Sequence, residues 1–97
     1  NETAIGLALP YVALEFARDR LRRTALSEAT IGARLYDPEG AVEAGYLDRV
    51  VEPDSVVAAA MAAARDMAAL DRAAFAETKR RLRGPTVERI RALNRQA

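Results

Sequence analysis

Cysteine, histidine and tryptophan are absent from the 97 residues, and each absence removes a chemistry. No Ser/His/Asp or Cys/His nucleophile can be assembled. Zinc would have to be held by carboxylates alone, and no run supplies the usual ligand spacing. Disulfides are excluded, which fits a reducing compartment, and the cytoplasm is the expected location. Long apolar runs are missing as well: the longest, Val56 to Ala64, is nine residues and mostly alanine. A membrane-spanning helix needs roughly 18 or more, so no membrane partner is expected. Five aromatics against 22 alanines make any core thin. A start methionine is also lacking, since the chain begins with Asn1 and its only methionines are Met61 and Met67. We therefore expect a piece of a longer chain, with no signal pattern left to explain a removal. A chain this long buries roughly 60 to 65% of the surface its unfolded form exposes, so an isolated fold is marginal.

What is plentiful is charge. Fourteen arginines and one lysine stand against 14 acids, and the near-neutral total hides a division. Asn1 to Asp71 holds seven basic and twelve acidic residues, a balance of minus five, and the rest holds eight basic and two acidic, a balance of plus six. A basic tail on an acidic body points either to an anionic partner, such as a phosphate-bearing cofactor, nucleic acid or an acidic neighbouring subunit, or to a solvated helix face. The tail's only aromatic is Phe75 and it carries no nucleic-acid recognition motif, so no nucleic-acid partner is expected.

Periodicity and punctuation predict a mostly α chain of five or six helices and one short strand. Pro10 opens a helix to about Arg22, with Val12, Ala13, Phe16, Ala17 and Leu21 facing inward and Glu15, Arg18, Asp19 and Arg22 outward. Thr24 caps a second helix over Ala25 to about Arg34, with Leu26, Ala29 and Ala33 inward. Asp37 caps, Pro38 starts and Gly45 ends a third. Leu47 to Val51 alternates as a brief strand. Pro53 begins a helix to about Leu70, whose stripe is Val56, Val57, Ala60, Met61, Ala64, Met67 and Ala68. Asp71 caps a helix that stops at Gly84-Pro85, and Thr86 caps a last one carrying Val87, Ile90 and Leu93. Without repeats or long linkers, the chain reads as a single compact unit, divisible into 1–52 and a helical region over 53–97.

Glu2 is the first candidate for chemistry. Packed against the apolar run Ala4, Ile5 and Leu7, its carboxyl would have a raised pKa and serve as a general acid/base. On composition alone, a glutamate this near a chain end reads first as a frayed, solvated residue. The surroundings add to this. Asn1-Glu2, the run Ala4-Ile5-Gly6-Leu7-Ala8-Leu9-Pro10, and then Arg18-Asp19-Arg20-Leu21 resemble the enoyl-CoA hydratase/isomerase (crotonase) family. Ala25 to Arg34 followed by Tyr36 to Val51 resembles that family's "A-x-x-A-x-x-x-G-L-V-D-x-V" segment, and Pro53 to Leu70, then Asp71 to Leu82 with Lys79, resembles the two helices that follow.

The resemblance covers nearly the whole chain and implies the C-terminal portion of an α/β crotonase-like fold. It implies an acyl-CoA-processing enzyme working through a thioester enolate, with Glu2 as the acid/base and no permanently bound cofactor, coenzyme A being part of the substrate. A second catalytic glutamate and the thioester's N–H donors would lie upstream. It further implies phosphate contacts from Arg20, Arg22, Arg23, Lys79, Arg80 and Arg83. Leu9, Pro10 and Tyr11 stand where many hydratases have a glycine-rich "P-G-x-G-G-T" turn. They would reshape the acyl pocket or simply pack. Phe75, Leu82, Val87, Ile90 and Leu93 would face a partner in a homotrimer or dimer of trimers, as the family's C-terminal helices do. The alternative is a non-catalytic helical interaction or oligomerisation module with a basic C-terminal tail. With the thioester donors missing, the 97 residues alone are expected to show no turnover of an enoyl-CoA, and hydration above background in a spectrophotometric assay would refute this.

Overall fold

The computed structural model describes residues 1–96. Its helices are α1 (Tyr11–Arg20), α2 (Leu26–Thr30), α3 (Pro38–Ala44), α4 (Val56–Ala68) and α5 (Arg72–Gln96), with 3₁₀ turns at Glu2–Ile5, Arg23–Ala25 and Pro53–Ser55. The chain divides into two compact units. One holds Asn1–Val50 with the end of the chain from Thr86, and the other holds Val51–Pro85.

The first unit is built on small residues. Ala17, Leu21, Ala25, Ala29 and Ala44 form its buried cluster, with Leu26 and Tyr36 packed against it. Leu21 is the one bulky member, and its burial stabilises by about 1.5–3 kcal/mol. Helix α1 stops there because Leu21 turns extended (φ −78°, ψ 151°), its N–H still donating to Ala17 O at 2.9 Å.

Helix α3 forms as its local code predicts. Asp37 Oδ1 accepts from the Gly40 N–H at 2.7 Å, Pro38 starts the helix, and Gly45 ends it at φ 108°. The same corner meets α1, where the Arg22 N–H donates to Ala44 O at 2.8 Å. A Cβ on Gly45 would lie 2.8 Å from Arg20 O, so this glycine is required both by its left-handed backbone and by space.

Four expectations are corrected in this unit and at its border. The helix foreseen over Ala25 to Arg34 is only a 3₁₀ turn followed by Leu26–Thr30, and Thr24 makes no side-chain cap. It ends early because Ala33 adopts φ 51°, while the Gly32 and Arg34 N–H groups donate to Ser27 O and Glu28 O, both at 3.0 Å. Leu47 to Val51 forms no strand: no strand exists among the described residues, and alternation without a pairing edge makes no ladder. The break foreseen at Gly84-Pro85 does not occur, and α5 runs through it. Gly84 has no Cβ to clash with the proline ring, so the usual restriction on the residue before proline is relaxed. Thr86 is consequently not a cap but a buried mid-helix residue whose hydroxyl donates to Asp19 Oδ1 at 2.8 Å.

The fourth correction concerns polarity. Periodicity places Phe16 inward and Glu15 outward, yet Phe16 is 60% exposed and Glu15 only 6%. The Glu15 carboxylate is accommodated because two guanidinium groups meet it. Arg89 of α5 donates to Oε2 at 2.6 Å, and Arg18, one helical turn on, donates to Oε1 at 2.7 Å. The Arg89 hydrogen bond is the foremost reason its pKa lies below the ordinary glutamate value, and burial opposes it.

In the second unit, Asp71 caps α5 through the Ala74 N–H at 2.8 Å, as expected. Arg72 closes the preceding corner by donating to Met67 O at 2.7 Å, and its guanidinium lies 4.8 Å from the centre of the Phe75 ring. The α4 stripe is not covered: no residue of α4 is buried, and Val57 is 75% exposed.

Two measurements check these assignments. Gly45→Ala should lower the unfolding free energy by at least about 1–2 kcal/mol, read from urea midpoints, because it places a side chain in the left-handed region. A glutamate with a depressed folded pKa stabilises above its unfolded value, about 4.3, and this stabilisation is lost as pH falls through the folded pKa. Glu15→Gln should therefore lower stability at neutral pH and flatten its decline below about pH 4.3, whereas an unchanged acid limb would show that Glu15 does not govern it.

Candidate active site

Glu2 begins the first 3₁₀ turn. That turn is closed by the Ala4 N–H donating to Asn1 O (3.0 Å) and the Leu7 N–H to Glu2 O (2.9 Å), and Gly6 leaves it at φ 83°. Thr3 anchors the turn to the body of the unit: its hydroxyl donates to Thr30 O at 3.0 Å. Glu2 is thus held by its backbone while its side chain remains about half exposed, 3.1 Å from the Asn1 ammonium. The raised pKa expected from apolar packing is not seen. Its pKa is lowered, first by the hydrogen bond to its own backbone N–H and then by the neighbouring ammonium. At neutral pH the group is a carboxylate.

Leu9, Pro10 and Tyr11 are brought together, lining one open cavity of about 530 Å³. Thr3 and Ala8 from the N-terminal segment, Leu14 from α1, and Thr30 and Ile31 from the end of α2 complete its wall. Thr3 is both part of this wall and the residue next to Glu2. The contributions of Thr30 and Ile31 depend on where α2 ends, and the local signal for that end is Gly32 just past it, where a Cβ would lie 2.8 Å from Glu28 O.

Each of the six basic candidates has its own surroundings within its unit. Arg20 donates to Asp48 Oδ1 at 2.7 Å, and this bond is the main reason the Asp48 pKa is lowered. Arg22 lines a small polar pocket of about 120 Å³ whose wall includes Glu28, Arg34 and Tyr36. Within it Glu28 Oε1 accepts from the Tyr36 hydroxyl at 2.7 Å and from Arg34 at 3.0 Å. The tyrosine bond leads the causes that lower the Glu28 pKa, while burial leads those that raise the Tyr36 pKa. Arg23 is exposed in its 3₁₀ turn. In the second unit Arg80 pairs with Glu77. Lys79 and Arg83 share an apolar groove of about 610 Å³ with Phe75 and Leu82. No group of three or more acidic side chains able to hold a metal occurs among the described residues, and no described helix is long and apolar enough to cross a membrane.

No family model matches the sequence, and no curated protein does. Solved structures do. A probable enoyl-CoA hydratase of Mycobacterium tuberculosis H37Rv is 43% identical with a TM-score of 0.87, the match covering 95% of this chain and 39% of that one. An enoyl-CoA isomerase structure from M. tuberculosis is also 43% identical, with a TM-score of 0.88 over 95% of this chain and 41% of that one. An enoyl-CoA hydratase/isomerase family protein of Pseudomonas syringae is 36% identical, with a TM-score of 0.89 over 99% of this chain and 42% of that one. The chain spans about two fifths of the length of these proteins. With this likeness in fold and sequence along nearly all of its own length, the chain belongs to the enoyl-CoA hydratase/isomerase family.

Proposed function

We propose that this chain is the acid/base-bearing C-terminal segment of an acyl-CoA-processing enzyme that works through a thioester enolate. The observation that carries this reading is the junction at Thr3, which adjoins Glu2 in sequence and also lines the cavity made by Leu9, Pro10 and Tyr11. A carboxylate one residue from the wall of an apolar cavity suits removal of a proton from the carbon next to a thioester carbonyl.

In this scheme Glu2 takes the α-carbon proton as its carboxylate and returns a proton as its carboxylic acid. Efficient transfer needs a pKa near the working pH, and the ammonium of Asn1 acts against that. Where a peptide bond precedes Asn1, that ammonium is gone and only the backbone hydrogen bond still lowers the pKa. One base serving both steps suits double-bond isomerisation, and hydration calls for a second acid from elsewhere in the fold.

The coenzyme's phosphates are assigned to Arg20, Arg22, Arg23, Lys79, Arg80 and Arg83. Arg20 and Arg80 must first exchange carboxylate partners, which favours Lys79 and the exposed Arg23. The substrate is an acyl-CoA thioester, no permanently bound cofactor is required, and the assembly is a homotrimer or dimer of trimers. The uncovered stripe on α4 supports the second reading, a non-catalytic helical module that binds other subunits.

A chimera separates the two. This chain replaces the matching segment of the M. tuberculosis hydratase, and enoyl-CoA turnover is measured with and without Glu2→Gln. The substitution should lower turnover by about 10²–10⁴-fold with CoA binding unchanged. Equal turnover in the substituted and unsubstituted chimeras would sink the acid/base assignment and favour the module.

A further inference from the structure

Helix α5 carries two helix-weakening residues side by side. Pro85 has no N–H, so the hydrogen bond that residue 85 would give to Arg81 O is missing. Gly84, just before it, loses the most conformational freedom on entering a helix. Outside the helix itself nothing lies within 4 Å of where a Gly84 Cβ would sit, so no neighbouring side chain braces this joint. The division between the two units falls at the same place, between Pro85 and Thr86. Beyond it, the one buried residue of α5 is polar: the Thr86 hydroxyl donates to Asp19 Oδ1 at 2.8 Å. Arg89, three residues on, donates to Glu15 Oε2 at 2.6 Å. Both acceptors belong to α1, whose first turn gives Tyr11 and Leu14 to the cavity wall. Carbon adds little here, since Val87 is 41% exposed and Ile90 and Leu93 are only partly buried.

We propose that residues 86–96 form a strap, hinged at Gly84-Pro85 and latched to α1 by the Thr86–Asp19 and Arg89–Glu15 hydrogen bonds, which opens as a unit while α1 stays folded. The proposal is independent of the acyl-CoA reading. Opening returns water to the Glu15 carboxylate, with Arg18 of the same helix still in place at 2.7 Å. A latch of polar links contributes little net stability compared with buried carbon, so it releases more readily than the rest of the unit unfolds. The Arg89 side chain is half exposed, which lets salt screen the latch. The joint supplies the other half of the device: a helix interrupted at Gly84-Pro85 transmits little support from its first part to its second.

Amide hydrogen exchange of the 97-residue chain, followed residue by residue by NMR, tests this. The amides of residues 90–94 should exchange at one common rate, at least about tenfold faster than those of residues 15–20 in α1, and with less dependence on sub-denaturing urea. Raising NaCl to about 0.5 M should speed the strap's exchange by about threefold, and Arg89→Met should speed it by at least about tenfold. The double substitution Gly84→Ala with Pro85→Ala makes the helix continuous and should slow it by at least about tenfold. Exchange of the strap and of α1 at the same rate and urea dependence would overturn the proposal, because the segment then opens only with its unit. Rates graded from the chain end inward would also overturn it, as simple fraying. A double variant without effect would remove the hinge. Should Arg89→Met not fold, the salt comparison reads the same latch in the unsubstituted chain, and exchange indifferent to salt would remove it.

Discussion

The arrangement of the first unit depends on a carboxylate that its alanine-rich surroundings could not hold alone. Glu15 lies on the α1 face that meets α5, and burying its charge without partners would be strongly unfavourable. Arg89 and Arg18 resolve this, at 2.6 and 2.7 Å. One helical turn away, Thr86 adds a second link through Asp19 at 2.8 Å. Such a pair contributes little net stability compared with well-packed carbon, but breaking it leaves a stranded charge. Its effect is therefore directional: within the first unit, Thr86 and Arg89 are held in one register against Asp19 and Glu15 of α1.

That demand for placement follows from the core. Apart from Leu21, the buried cluster is alanine, and alanines fill space only when backbones approach closely. Gly45 allows the approach, since the backbone of Arg20 occupies the space a side chain would need. Close approach in turn brings the end of α3 near enough for Arg22 and Ala44 to share a backbone hydrogen bond of 2.8 Å. The small residues and the polar links thus work together: the first permit contact and the second fix its register.

This division also explains what could be read from the residues alone. The α3 signal lies within nine consecutive residues, Asp37 to Gly45, and each part acts on its own backbone, so it was legible. Asp71 was legible for the same reason. Glu15 and Thr86 were not, because each is decided by a partner more than 60 positions away in sequence. Gly84-Pro85 weakens a helix locally, but the residues beyond it are held by contacts that no local rule includes. The strand at Leu47 to Val51 failed for a related reason, since pairing is a property of two segments. The family resemblance was legible because it rests on order and spacing along the whole chain. Of the candidate site, the grouping of Leu9, Pro10 and Tyr11 was legible as adjacent positions, whereas Thr30 and Ile31 join them only through folding.

The turn that carries Glu2 places a limit on the chemistry this segment can do. The backbone N–H groups of Ala4, Gly6 and Leu7 all donate within the turn, to the carbonyls of Asn1, Thr3 and Glu2, at 3.0, 3.3 and 2.9 Å. An enolate needs donors aimed at the oxygen where charge develops, and donors already engaged in holding a turn are not available for that task. The Thr3 hydroxyl is engaged in the same way, with Thr30 O. What the turn keeps available is the half-exposed carboxylate itself. In the proposed scheme, proton transfer and charge stabilisation would therefore fall to different parts of the fold: this turn would offer a half-exposed carboxylate one residue from the wall of a largely carbon-lined cavity, and the oxyanion donors would come from other backbone.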